Sequence, residues 1–378
     1  MKIFIKATLV LCLGSSVGQA LAQDSAALVD RLERPSRVSP LAVGSLFTGI
    51  QALGPQVLMV GESGRILLRA ADGSVTQAQV PVDLLLTAVH FVDARNGWVV
   101  GHDGVVLHSN DGGLTWSKQL DGVAIYQLML ARAESEVSRL ESASNAAPDD
   151  AGLSRALENA NFAVDDIIAG NTNGPSRPLL GVWFKDAHEG WVVGAYGIIL
   201  HTRDAGQTWQ YAAGLDNPDR LHLNAVLGLS DGSLLVAGEG GHLHRSSDGG
   251  EHWQLLPPVS NASLYKLLAV KDGRLLALGF GGTLLGSDDQ GQSWHVLQVP
   301  TRASLYGGGP LADGSLLLTG QGGALLHSRD GRHFELWQAP GKKNTWLGAI
   351  EVADKRLLLI GNGGLQTISL AELKEQRK

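Results

Sequence analysis

The chain has 378 residues, 44% of them apolar, which is enough for a large single core or two ordinary ones and excludes both intrinsic disorder and a disulfide-stapled mini-fold. Its formal charge is −7 with 18% charged residues, so it lacks the basic footprint expected for nucleic acid or an anionic membrane surface. Glycine reaches 49 residues against 13 prolines, an excess without a collagen-like triplet that predicts many tight turns in an all-β chain.

In chain order the first element is a secretory signal peptide at 1–22. Met1 to Lys6 carries two positive charges, Ala7 to Leu13 is a short apolar run, and Ala20-Leu21-Ala22 offers an A-x-A cleavage site. A membrane anchor needs about 20 apolar residues, far more than this run supplies. The mature chain is therefore expected in the periplasm, or in a lumenal or extracellular space. Cys12, the only cysteine, lies inside the signal, so the mature protein has no disulfide, thiolate nucleophile or Cys-ligated metal. Residues 23–43 form a leader, and its segment from Arg37 to Val43 is expected to supply the strand that closes the fold.

From residue 44 one short phrase recurs. It reads Gly61-Glu-Ser-Gly64, Gly101-His-Asp-Gly104, Gly194-Ala-Tyr-Gly197, Gly238-Glu-Gly-Gly241, Gly279-Phe-Gly-Gly282, Gly320-Gln-Gly-Gly323 and Gly361-Asn-Gly-Gly364. The first glycines are spaced by 40, 93, 44, 41, 41 and 41 residues, a constant period broken by one insertion of about fifty residues. Each copy is flanked by short apolar runs, such as Trp98-Val99-Val100 and Val105-Val106-Leu107, and reads as a hairpin whose turn exploits glycine's freedom at positive φ. A further strand lies upstream and a fourth follows a polar turn. Four antiparallel strands per repeat, seven times over, predict a seven-bladed β-propeller across 44–370, with 371–378 as a charged tail.

The insertion at 121–178 falls between blades two and three. Ile125, Leu128, Met129, Arg132, Val137 and Leu140 follow a helical stripe, as do Leu153, Leu157, Ala160, Val164 and Ile168, so a helical hairpin is expected there. Neither helix buries its stripe alone; the pair must pack on the disc, on each other or on a partner.

The polar turn of each repeat carries a second motif, S/T-x-D-x-G-x-T/S-W, known as the Asp-box. It is complete at Asp111 and Trp116, Asp204 and Trp209, Asp248 and Trp253 (with His252 in the T/S slot), and Asp289 and Trp294; at Asp330 it is one residue short and ends in Phe334. These carboxylates are expected to accept backbone N–H bonds in their own turns while the Trp packs into the neighbouring blade, which makes them scaffold rather than catalytic acids.

Both motifs together, as in Gly97 to Trp116 and again in Gly190 to Trp209, closely resemble the photosystem II stability/assembly factor family of Asp-box (BNR-type) propellers, over roughly residues 40 to 370. The resemblance implies a seven-bladed propeller and a non-enzymatic assembly factor that binds a membrane-protein precursor. The expected partner is a membrane or envelope complex, with a transporter or a photosystem subunit as the two cases, bound by a monomer.

In such a blade the glycine turns and the blade-to-blade links share one face. Glu62, His102, Tyr196, Glu239, Phe280, Gln321 and Asn362 therefore form a ring there, varied in chemistry on a constant frame, and they are the candidate partner-binding residues. No cofactor and no metal is expected. His108, His201 and His327 occupy one repeat slot and are dispersed around the ring, while His242 and His244 would need His222 or Glu239 to complete a site. The alternative reading is a glycoside hydrolase, sialidase-like enzyme or carbohydrate-binding protein. The sialidase Arg-Ile-Pro phrase is absent, and Glu62 and Glu239 are the carboxylate pair such an enzyme would have to use.

Overall fold

The computed structural model describes residues 30–375 except 173, 175, 176, 213, 271, 272 and 339–342. The expected signal peptide lies outside the described residues. Seven antiparallel sheets follow one another along the chain, six of four strands and the last of three, each in simple up-and-down order. We number them as blades one (47–77), two (86–120), three (179–211), four (223–255), five (264–296), six (305–338) and seven (346–369). The first strand of every blade contacts the first strands of its neighbours, and blade seven meets blade one, so these strands form the innermost layer of a closed seven-bladed β-propeller.

Every innermost strand enters with a β-bulge. The register shifts after its first residue, at Phe47/Gly49 in blade one and at the matching place in the other six. A bulge leaves one residue unpaired and raises the local twist, which turns that side chain out of the ladder and toward the axis. The core lies between blades rather than within them. Trp98 of blade two stacks on Phe184 of blade three at 3.6 Å and 6°, and Trp209 of blade three closes on the same Phe184 edge-on at 6.1 Å from within its own blade.

The Asp-boxes hold as the sequence analysis requires. Asp111 accepts from Ser109 Oγ at 2.8 Å, Leu114 N–H at 3.0 Å, Thr115 N–H at 3.1 Å and Thr115 Oγ1 at 2.6 Å. Trp116 Nε1 donates to Gly113 O at 2.9 Å. The same pattern recurs at Asp204, Asp248, Asp289 and Asp330. Hydrogen bonds from Thr208, first its hydroxyl and then its N–H, hold the Asp204 carboxyl below its ordinary value. At Asp248 the His252 backbone N–H and ring push the carboxyl down to about 2. Trp116, Trp209, Trp253, Trp294 and Phe334 are all buried, each in a cluster shared with the preceding blade.

The expected closing strand is corrected. Blade seven keeps three strands among the described residues, and residues 37–43 form none. The leader instead follows blade one: Ser36 N–H donates to Val80 O at 3.0 Å, Gln77 Nε2 to Arg37 O at 2.9 Å, and Ser39 N–H to Gln77 Oε1 at 3.1 Å. Pro35 and Pro40 lack the N–H a ladder needs, which disfavours a strand here. The outer flank of blade seven is covered by the short helix Leu370–Glu375, whose Leu370 and Leu373 bury against Trp337 of blade six and Ile368. Closure rests on side chains, because Phe47 and Met59 of blade one share a cluster with Leu358 and Ile360 of blade seven.

The insertion is a hairpin of helices α1 (Gly122–Ala146) and α2 (Ala151–Gly170), N-capped by Asp121 and Asp150. Ile125, Met129 and Leu140 bury from α1. In α2 the buried residue is Ile167 while Ile168 is exposed, so the stripe steps by three at its end rather than four.

Candidate functional site: the glycine-turn ring at the channel mouth

The first residue after the leading glycine of each turn donates its N–H to the residue just ahead of the innermost strand of the same blade. The bonds are Glu62 to Leu46 O, His102 to Leu85 O, Ala195 to Pro178 O, Glu239 to His222 O, Phe280 to Ser263 O, Gln321 to Ser304 O and Asn362 to Thr345 O, all between 2.8 and 3.3 Å. This contact gathers all seven turns around the entry of the innermost strands. The bulged residues of those strands, Thr48, Thr87, Leu180, Asn224, Tyr265, Tyr306 and Leu347, line a common cavity of about 230 Å³. The turn ring therefore surrounds one mouth of the central channel.

The seven ring residues divide by what their side chains do. Glu62 Oε1 accepts from Leu46 N–H at 3.2 Å, Glu239 Oε2 from His222 N–H at 2.8 Å, and Asn362 Oδ1 from Thr345 N–H at 2.9 Å. With the backbone bond described above, each makes a two-point clamp on its own link, the work of a turn-capping group. His102, Phe280 and Gln321 are exposed, Phe280 at 60%. Tyr196 is exposed as well, at 46%, but occupies a different slot. In blade three the first position is the buried Ala195, and Tyr196 shares the second position with Ser63 and Asp103. That position is left-handed, with φ of 56° at Tyr196, where a non-glycine residue costs about 1–2 kcal/mol. Blades four to six place glycine there.

Two candidates from different blades are joined through a residue considered before only as a metal ligand. Tyr196 N–H donates to His222 Nδ1 at 3.3 Å and its ring lies 5.0 Å from the imidazole. His222 Nδ1 in turn lies 3.4 Å from Glu239 Oε2. On the other side of Tyr196, the Arg177 guanidinium sits 4.7 Å over the ring. Arg177 and Arg220 share Asp166 of α2, at 3.6 and 2.7 Å. On α1, Arg132 lies 5.5 Å over Tyr211, whose hydroxyl donates to Gly197 O at 2.9 Å and whose burial pushes it up to about 12. The base of the hairpin is thus tied to blade three next to the ring. Arg177, Arg220 and His222 carry no repeat signal, since all three stand in links where the period places no motif.

The repeat-slot histidines stack on tryptophans of their own blades, His108 on Trp98, His201 on Trp191 and His327 on Trp337. His244 Nε2 faces Asp216 O at 3.0 Å. Among the described residues no group of three or more His, Cys, Asp or Glu could hold a metal ion.

The family model for the "Photosynthesis system II assembly factor YCF48" matches residues 68–143 and 174–262, that is, the outer part of blade one, blades two to four and most of α1. A photosystem II assembly lipoprotein Ycf48 from Synechococcus sp. (strain CC9902) is 26% identical over 216 residues, covering 55% of this chain and 49% of that protein. The chain spans about half the length of the curated relatives it matches. Among solved structures, YCF48 bound to D1 peptide superposes with a TM-score of 0.57 at 17% identity, covering 86% of this chain and 93% of the other. A streptogramin B lyase gives 0.63 at 12%, covering 88% and 96%, so the architecture alone does not separate binding proteins from enzymes. With seven blades, repeated Asp-boxes and these matches together, the chain is a seven-bladed Asp-box (BNR-repeat) β-propeller that is similar to photosystem II assembly factors.

Proposed function

We propose that this chain is an exported, non-catalytic assembly or stability factor that binds a protein segment of a membrane or envelope complex on its glycine-turn face. The observation that carries the reading is the pair of exposed aromatic side chains, Tyr196 and Phe280, held on turns that backbone hydrogen bonds fix around the channel mouth. Aromatic anchors on a rigid frame are the groups that carry most of the energy of protein interfaces. The similarity to proteins named for photosystem II assembly, one of them solved with a D1 peptide, supports a membrane-protein segment as the partner. The expected export signal fits that setting, and no helix of the described residues is long and apolar enough to cross a membrane.

The carbohydrate-active alternative loses its residues. Glu62 and Glu239 each hold a backbone N–H of their own link, and the Asp-box carboxylates accept bonds within their own turns. The test is photo-crosslinking in membranes of the source cell with a benzophenone residue placed at Phe280 or, on the opposite face, at Leu114. The reading expects a discrete membrane-protein adduct from position 280, lost in a Tyr196→Ala background, and none from 114. Equal adducts from both faces, or turnover of chromogenic glycosides by the purified chain, would overturn it.

A further inference from the structure

The innermost strands repeat a size rule that blade five breaks. Two residues into each strand, past the bulge, stand Gly49, Ala88, Gly181, Ala225, Gly307 and Gly348, and in blade five Lys266. The slot is tight: a Cβ added at Gly181 would come within 3.2 Å of Ala225 Cα in the next blade, and one at Gly348 within 2.6 Å of Ile50 Cγ2. A lysine there has one way out, along the axis. Lys266 is exposed, although Leu264 and Leu267 beside it on the same strand are buried. On an innermost strand flanked by two others, the solvent that reaches it is that of the central channel.

The seven innermost strands carry one lysine, one histidine and one carboxylate. Glu351 is occupied by Ala312 N–H at 2.7 Å. His90 faces Phe184 O at 3.0 Å and is pushed down to about 4, chiefly by burial and further by the Lys266 charge, so it is neutral at physiological pH. At the rim, Glu239 is held by His222 N–H. Lys266 has no hydrogen-bond or ion-pair partner among the described residues. Above it the mouth is polar on most sides: Thr48 Oγ1, Thr87 Oγ1 and Asn224 Nδ2 donate to carbonyls of the next blade, and Tyr265 and Tyr306 stack at 5.4 Å.

We propose that the central channel receives one carboxylate group, with Lys266 as its countercharge and the Tyr265–Tyr306 pair as the lip of the mouth. A cavity of about 230 Å³ admits the end of one molecule and not a folded surface. A negative group that passes it approaches Lys266, the residue after Tyr265 and the one lysine of the innermost strands, with which it can form a charge-assisted hydrogen bond. Although channel solvent reaches Lys266, the protein atoms crowded around the channel desolvate its ammonium and lower its pKa, and a bound carboxylate would oppose that shift. The carboxylate is either that of a free small acid or the C-terminal end of a peptide. The proposal stands independently of the partner reading, because it concerns the channel floor and not the exposed ring.

The test labels lysines of the whole folded chain by reductive ¹³C-methylation and follows the Lys266 signal by NMR, assigned by its loss in Lys266→Arg. The probes are acetate, acetyl-trialanine, and acetyl-trialanine amide. We expect both acids to shift the Lys266 signal and the amide to leave it in place. Comparable affinity for the two acids identifies a free acid as the ligand, and a clear preference for the tripeptide acid identifies a chain end. In calorimetry with unlabelled protein, Lys266→Met should bind the acids at least about tenfold more weakly while Lys266→Arg retains them. The proposal fails if the amide binds as well as the acid, if Lys266→Met binds like the parent, or if no probe moves the signal. Should Lys266→Met not fold, the probe series on the parent chain still decides.

Discussion

Replacing Trp209 with alanine tests the claim that the Asp-boxes bind one blade to the next. The indole is 6% exposed and sits in a cluster with Trp98, Phe184 and Leu200, and its Nε1 donates to Gly206 O at 3.1 Å. A buried Trp covers about 200 Å², worth about 5 kcal/mol at 25 cal/mol/Å². Allowing for compactness of the unfolded chain, about 4 kcal/mol remains, within the range of aromatic-to-alanine changes in cores. For a chain of this size the unfolding entropy is about 0.7 kcal/mol/K, so Trp209→Ala should lower Tm by about 6 °C. Leu114→Ala in the equivalent turn of blade two is the control, because Leu114 is 49% exposed and should shift Tm by less than about 1 °C. Differential scanning calorimetry on both variants gives the answer. A Trp209→Ala protein melting within 1 °C of the parent would refute the assignment of these tryptophans to the joints between blades.

Acid titration should find Asp248 ionised well below the usual carboxylate range. Its folded pKa, about 2, lies below the ordinary value of 3.8, so its share of stability is present above about pH 4 and is lost as pH falls toward 2; NMR of the Asp248 carboxyl checks the midpoint, and a value near 3.8 contradicts the hydrogen-bond account. Gly307→Ala should destabilise by about 1–3 kcal/mol, since its Cβ would collide with Leu347 O of the next blade, whereas Gly44→Ala, which meets nothing, should be near neutral in the same urea series. Arg220→Ala removes one half-exposed partner of Asp166 and should leave Tm within about 1 °C while hydrogen exchange quickens in the last turns of α2; unchanged exchange there would mean the ion pair does not hold the hairpin.

The fold was legible because the period was. A phrase such as Gly238-Glu-Gly-Gly241 marks a place where backbone must take positive φ close to another chain segment, here the Ser260 carbonyl, and few other sequences satisfy both demands. The Asp-boxes were legible for the same reason, since each is a local device whose partners lie within a few residues. The site was legible only in outline. That the turns ring the channel follows from blade topology, but whether a given side chain faces solvent or clamps its own link depends on a bond to a residue about sixteen positions upstream, as from Glu62 to Leu46, and no spacing rule encodes it. Blade three shows the limit most clearly, because Ala195 takes the first slot and Tyr196 the second. Blade seven was misread because its outer flank is filled by the helix at Leu370–Glu375 rather than by a strand.

The proposed binding positions are departures from the repeat. Six blades carry glycine or alanine beyond the bulge, where the innermost strands approach one another closely, and blade five carries Lys266, which has no ion-pair partner among the described residues. At the left-handed slot of the turn, blades four to six have glycine, while Ser63, Asp103 and Tyr196 of blades one to three accept strain that glycine would remove. Tyr196 stands at the channel mouth, and the inserted hairpin is tied to the same side through Arg177 and Arg220. The Asp-box face keeps its motif in four blades with a fifth one residue short, and its left-handed non-glycine residues Ala205 and Gln290 sit inside those turns, where they serve the motif itself.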